Sequence, residues 1–122
     1  MTSKKKIVAV LNDLMFTVKI QDAAKRAGLE TVFVKSQQHA LDEAKTQPAF
    51  IILDLNYSEA APLETIEKLK ANEESSKVYL LGYVSHVQSD LKQAAHEKGC
   101  DSVIARSAFS QNLPRILSRY AA

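Results

Sequence analysis

The sequence predicts an α/β fold, a five-stranded parallel sheet with helices on both faces. Three observations carry that prediction. Five short apolar runs recur along the 122 residues, at Ile7–Leu11, Thr31–Val34, Phe50–Leu55, Val78–Tyr83 and Ser102–Ala105. The first, third and fourth are continuous rather than alternating, as strands buried on both faces are. Segments with helical spacing separate the runs, so strand and helix alternate five times, and right-handed crossovers wind such a chain into three layers.

The helices follow in order. Phe16, Ile20, Ala23, Ala24 and Ala27 make one face of the first, with Asn12 or Asp13 as its cap and Gly28 as its left-handed stop. The second, Gln38–Thr46, carries Ala40, Leu41 and Ala44 and ends before Pro48. The third opens at Pro62 and runs through Leu63, Ile66 and Leu69. The fourth starts near Gln88, carries Leu91, Ala94 and Ala95, and stops at Gly99. The fifth is expected from Ser110 as cap, with Leu113, Ile116, Leu117 and Tyr120 on its inner face and Pro114 near its start. Neither an internal repeat nor a linker divides residues 1–122, which read as one domain.

Composition removes several classes of function. Hydrophobic residues make up 46% and charged residues 25%, with three Gly and three Pro, which is globular rather than low-complexity composition. A net charge of +2 from scattered basic residues does not announce a direct nucleic-acid binder. The run Lys4-Lys5-Lys6 reads as a solvated lead-in to the first strand. Cys100 alone cannot form an internal disulfide or a multi-Cys zinc site, and it reads as a small buried hydrophobe in a reducing, cytoplasmic protein. No apolar stretch approaches the length of a membrane span. His39, His86 and His96 lack metal-ligand spacing.

In doubly wound sheets the carboxyl ends of the strands carry function. The residues there are Leu11-Asn12-Asp13, Lys35, Asp54-Leu55-Asn56, Val84-Ser85-His86 and Arg106-Ser107. Asp54 is the most informative, because a carboxylate closing a buried strand needs a partner or a task.

Taken together, these positions resemble the response-regulator receiver domain, the CheY-like family, over essentially the whole chain. The resemblance rests on Leu11-Asn12 ending the first strand, Gly28 after the first helix and Asp54 in "FIILDLN" ending the third strand. It continues through Val84-Ser85 after the fourth strand, Gly99-Cys100-Asp101 before the fifth, and Arg106-Ser107 after it. No one of these motifs is specific; their joint spacing is. The resemblance implies a flavodoxin-like sheet of strand order 2-1-3-4-5. It also implies Asp54 as phospho-acceptor, in a pocket of Leu11, Asn12, Asp13, Asn56, Val84, Ser85 and Arg106. The partner it implies is a histidine kinase or phosphotransfer protein, a downstream protein, or both.

The departures from the family are as informative. An acidic pair is expected where Leu11 and the neutral Asn12 stand. Asp13 lies one residue further, where a helix start is expected to turn it away. Metal ligation would therefore fall to Asn12, Asp54 and Asn56, so Mg²⁺ is expected to bind weakly if at all, and no cofactor is required. Val84 keeps the shape of Thr without its hydroxyl, and Arg106 replaces a Lys with a larger, forked cation. Val103 stands where the family carries a signalling aromatic. The expectation is a pseudo-receiver without enzymatic activity, in which Asp54 is a vestigial or slow acceptor that pairs directly with Arg106. A flavodoxin-like ligand-binding protein is the alternative, but the loop after the first strand, Asn12-Asp13-Leu14-Met15-Phe16, has no glycine to cradle a phosphate.

Three surface readings complete the picture. Leu14, Met15 and Val18 lie off the inner stripe of the first helix and form a candidate partner face. A homodimer is expected, if at all, through the fourth helix, fifth strand and fifth helix. Tyr57 is placed to lid the pocket and Tyr83 to point into a helix layer. Because the chain ends just after its last helix, a stand-alone module is expected, with output through a partner.

Overall fold

The computed structural model describes residues 5–85 and 89–121. Its strands are β1 (Lys6–Val10), β2 (Glu30–Val34), β3 (Phe50–Asp54), β4 (Tyr79–Val84) and β5 (Ser102–Ala105). All pair in parallel, in the order β2-β1-β3-β4-β5. Each lies within a residue or so of its apolar run, and the expected sheet order is the one found.

The helices are α1 (Leu14–Arg26), α2 (Gln37–Ala44), α3 (Pro62–Ala71), α4 (Ser89–Lys98), α5 (Arg106–Gln111) and α6 (Leu113–Tyr120). The sequence led to five helices; the last is two. Ser110 does not cap it. Ala105, the last residue of β5, is the cap residue of α5, and the helix breaks at Asn112, with Pro114 in the first turn of α6. Pro114 cannot supply the N–H that a continuous helix needs there, which accounts for the restart. Ser110 instead accepts a hydrogen bond from Lys19 Nζ at 3.1 Å, tying α5 to α1. The expected start of α4 near Gln88 lies outside the described residues, as do Lys4 and His86.

Strand alternation sorts the core into two layers. Ile7, Ala9, Leu11, Phe50, Ile52, Leu81 and Tyr83 point to one face and pack with Phe16 and Ile20 of α1, Phe109 of α5 and Leu113 and Leu117 of α6. Val8, Val10, Ile51, Leu53, Leu80, Val84 and Val103 point to the other, against α2, α3 and α4. The first layer is rich in rings and the second is aliphatic.

Two structural devices hold the sheet's edge. Asp101 accepts from the Leu80 N–H at 2.8 Å and from Lys70 Nζ at 2.9 Å, so the Gly-x-Asp motif fastens β5 to β4 and to α3. The basic lead-in is not simply solvated, since Lys5 donates to the Ala121 carbonyl at 2.7 Å and Lys6 pairs with Glu43 at 3.0 Å. Cys100 is buried, and burial pushes its thiol up to about 11, so it is no thiolate at neutral pH.

Candidate functional site

Period two along β3 puts Asp54 on the face of Phe50 and Ile52, the ring-rich one. The register pairs Asp54 with Tyr83 of β4. The two residues therefore leave the sheet side by side on the same face, at its carboxyl edge. Asp54 Oδ1 accepts the Asn56 N–H at 2.9 Å. Burial raises the Asp54 carboxyl above its ordinary value, and neither the Asn56 N–H nor the nearby positive charge of Arg106 cancels that effect.

Asp13 is where the structure departs furthest from expectation. It does not turn away. Its Oδ1 caps α1 by accepting the Phe16 N–H at 3.1 Å, and its Oδ2 accepts a hydrogen bond from Arg106 Nη2. The expected Asp54–Arg106 ion pair is thus replaced by an Asp13–Arg106 pair. The reason is geometric. Asp13 and Arg106 stand at the starts of neighbouring helices on one edge of the sheet, and the guanidinium rests on the Phe16 ring, 4.2 Å from its centroid. Asp54 feels the guanidinium only as a nearby charge. Asp13 is correspondingly held below the usual carboxylate value, first by the Phe16 N–H and, against some burial, by Arg106.

The remaining predicted residues fall into two groups. Leu11 and Val84 are buried, on the ring-rich and aliphatic faces respectively, and offer no polar atom to the pocket. Asn56 and Ser85 join the two neighbouring loops, Asn56 Oδ1 accepting the Ser85 N–H at 2.7 Å. Tyr57 spends its hydroxyl on the Lys35 carbonyl at 2.7 Å, tying the loop after β3 to the end of β2.

The donor set suits a divalent cation poorly. Both Asp13 oxygens are engaged by protein donors, one of them cationic. Asn12 is an exposed neutral amide. The Asn56 side-chain oxygen is bonded to Ser85, and its backbone carbonyl accepts the Ser58 N–H at 3.1 Å. Mg²⁺ prefers a near-octahedral set of hard oxygens, and as arranged here only one Asp54 oxygen is an uncommitted anion of this set. Among the described residues no cluster of three or more His, Cys, Asp or Glu could hold a metal.

Sequence reasoning placed Tyr83 in a helix layer, and so it is: fully buried, stacked on Phe109 at 4.9 Å and 9°, and 5.3 Å from Phe16. It missed that the phenol belongs to the site. The hydroxyl lies beside the Asp54 carboxyl without hydrogen-bond geometry to it, and has no other partner among the described residues. Strand period and parallel register, applied together, were the signal that could have found it.

No family model matches the sequence, and no curated protein matches it. Solved structures do. A response regulator from Hahella chejuensis is 18% identical, with TM-score 0.86 over 96% of this chain and 95% of that one. The receiver domain of a sensor histidine kinase from Pseudomonas aeruginosa PAO1, with a magnesium ion in its active-site cleft, is 17% identical at TM-score 0.82, over 98% of each chain. The chemotaxis response regulator CheY4 of Vibrio cholerae is 18% identical at TM-score 0.82, over 97% and 99%. At these identities the likeness establishes the fold: this chain has the CheY-like, flavodoxin-like architecture of response-regulator receivers.

Proposed function

We propose that the protein is a receiver-like signalling module of a two-component phosphorelay that works chiefly through protein contacts, with Asp54 as a slow acceptor. The observation that carries this reading is the Asp13–Arg106 pair. It ties up, in a single bond, the Arg106 guanidinium beside Asp54 and the second carboxylate. A phosphoryl group arriving at Asp54 meets a guanidinium whose charge Asp13 already offsets, and a metal must compete with the guanidinium for Asp13. Both effects slow the reaction without removing the acceptor.

Residues 1–122 act in this reading as one non-enzymatic domain in the cytoplasm. No described helix is long and apolar enough to cross a membrane. The partner is a histidine kinase, a phosphotransfer protein or a downstream protein. Leu14, Met15 and Val18, 81%, 68% and 57% exposed on the first turns of α1 beside the pocket, are the face offered to it. Self-association, where it occurs, uses α4, β5 and the last helix, α6.

The test is intact-mass spectrometry after incubation with acetyl phosphate, with and without Mg²⁺, alongside Asp54→Ala. A partial, slowly growing phosphoryl adduct that needs Asp54 and gains little from Mg²⁺ supports the reading. Rapid stoichiometric labelling that requires Mg²⁺ would make this an ordinary receiver and overturn it.

A further inference from the structure

We infer that the Tyr83 hydroxyl is the hydrogen-bond donor to the phosphoryl group carried by Asp54, reaching it from the face of β4 opposite to Val84. This inference rests on the proposed acceptor role of Asp54. The geometry supplies four facts. Tyr83 is fully buried, yet its hydroxyl has no partner among the described residues. A buried hydroxyl left unbonded is costly, and such a group in a native pocket calls for an explanation. Its ring is buried in a three-ring cluster with Phe109 and Phe16, which holds the direction of the hydroxyl. The register sets it against Asp54, on the same side as Arg106.

The ring cluster continues to the cation. Phe16 packs on Tyr83 and also carries the Arg106 guanidinium 4.2 Å from its centroid. Among the described residues the guanidinium donates only to Asp13, which leaves most of its N–H fork unspent. A tetrahedral group on Asp54 would sit between a neutral O–H donor and a forked cation. Val84, on the aliphatic face, cannot provide that O–H. The phenol remains protonated at all ordinary pH, because burial and the Asp54 charge push its ionisation up.

The chemistry needs nothing from the phenol but its proton as a donor. An Asp54 carboxylate oxygen attacks the phosphorus of an acyl phosphate. The bond from phosphorus to the acyl oxygen breaks, and its electron pair leaves with the carboxylate product. No proton moves to or from Asp54, and the Tyr83 O–H stays intact while it donates to a non-bridging phosphoryl oxygen.

The experiment is acetyl phosphate labelling of the full chain, wild type and Tyr83→Phe, read by intact mass, with Asp54→Ala as control. Phe keeps the ring and its stacking, and thermal unfolding verifies that the variant is folded. The expected result is an adduct yield reduced about fivefold or more in Tyr83→Phe, the factor that one lost neutral hydrogen bond supplies. A second reading on wild-type protein with ¹³C-labelled tyrosine avoids mutation: on labelling, the Tyr83 Cζ resonance moves while those of Tyr57, Tyr79 and Tyr120 stay. Equal yields in the two proteins, or an unmoved Tyr83 resonance in labelled wild type, overturn the inference and leave the acceptor role of Asp54 standing. A wild type that takes no Asp54-dependent label at all overturns both.

Discussion

The two faces of the sheet are built from the same strands but do different work. The face under α2, α3 and α4 is packed with Val, Leu and Ile, and its one site residue, Val84, ends in methyl groups. The face under α1, α5 and α6 packs Phe16, Tyr83 and Phe109 together, and at its carboxyl edge a guanidinium and a phenol hydroxyl stand beside the carboxylates of Asp13 and Asp54. Aliphatic packing fills space. Ring packing also fixes direction, because a flat ring held against other rings can aim a polar atom or seat a cation. The polar site is therefore expected to depend on the ring-rich face and to tolerate losses on the other.

Truncation tests that contrast most strongly. Phe109→Ala should cost about 3–5 kcal/mol, and Leu69→Ala on the aliphatic face about 2–5 kcal/mol. Urea unfolding measures both. Only Phe109→Ala should also lower Asp54 labelling in the fraction that remains folded, because only it frees the Tyr83 ring. Equal effects on labelling would erase the distinction between the faces.

Gly82 offers a smaller perturbation close to the site. A Cβ there would meet Leu55 Cδ1 at 3.0 Å, on the aliphatic side of β4. Gly82→Ala should cost about 1–3 kcal/mol by overpacking, with the Tyr83 stack intact. Near-ultraviolet circular dichroism should accordingly keep its tyrosine bands while the melting temperature falls.

The two carboxylates sharpen the comparison further, because their linkage to pH has opposite signs. Asp13 has a lowered folded value, so its contribution is full above the unfolded value, near 3.8, and is lost as pH falls through the folded one. Asp13→Asn should lower stability at pH 7 and change it little in acid; Asp13→Ala adds loss of the α1 cap, about 1 kcal/mol. Asp54 has a raised folded value, so stability drains away as pH rises from 3.8 through that value. Asp54→Asn should thus gain stability at pH 7 and gain nothing in acid. Melting curves of the two Asn variants at both pH values check the signs, and a shared sign would dismiss the assigned environments. The smallest effect belongs to the exposed Asp22–Arg26 pair, 3.3 Å apart on α1. Arg26→Ala should shift stability by no more than about 0.5 kcal/mol in the same melts.

Parts of this were legible in the residues. Ile7–Leu11, Phe50–Leu55 and Val78–Tyr83 announced central strands because a strand covered on both faces must be apolar throughout. Asp54 stood out because it interrupts such a run. The last helix was misread because apolar spacing from Leu113 onward is strong, whereas α5 shows the core little but Phe109. Asp13 was discounted because sequence distance from the strand end says nothing about how a capping side chain turns.

What the sequence by itself determined, then, was the order of strands and helices and the presence of one carboxylate at a buried strand end. Both follow from local pattern: the period of apolar residues and the cost of burying charge. Which cation meets which carboxylate, and which hydroxyl stands beside Asp54, only the tertiary structure decided. Arg106 and Asp13 lie 93 positions apart in the chain, and Asp54 and Tyr83 meet only through the β3–β4 register. Contacts of that kind depend on how whole layers pack, and no local stretch of residues encodes them.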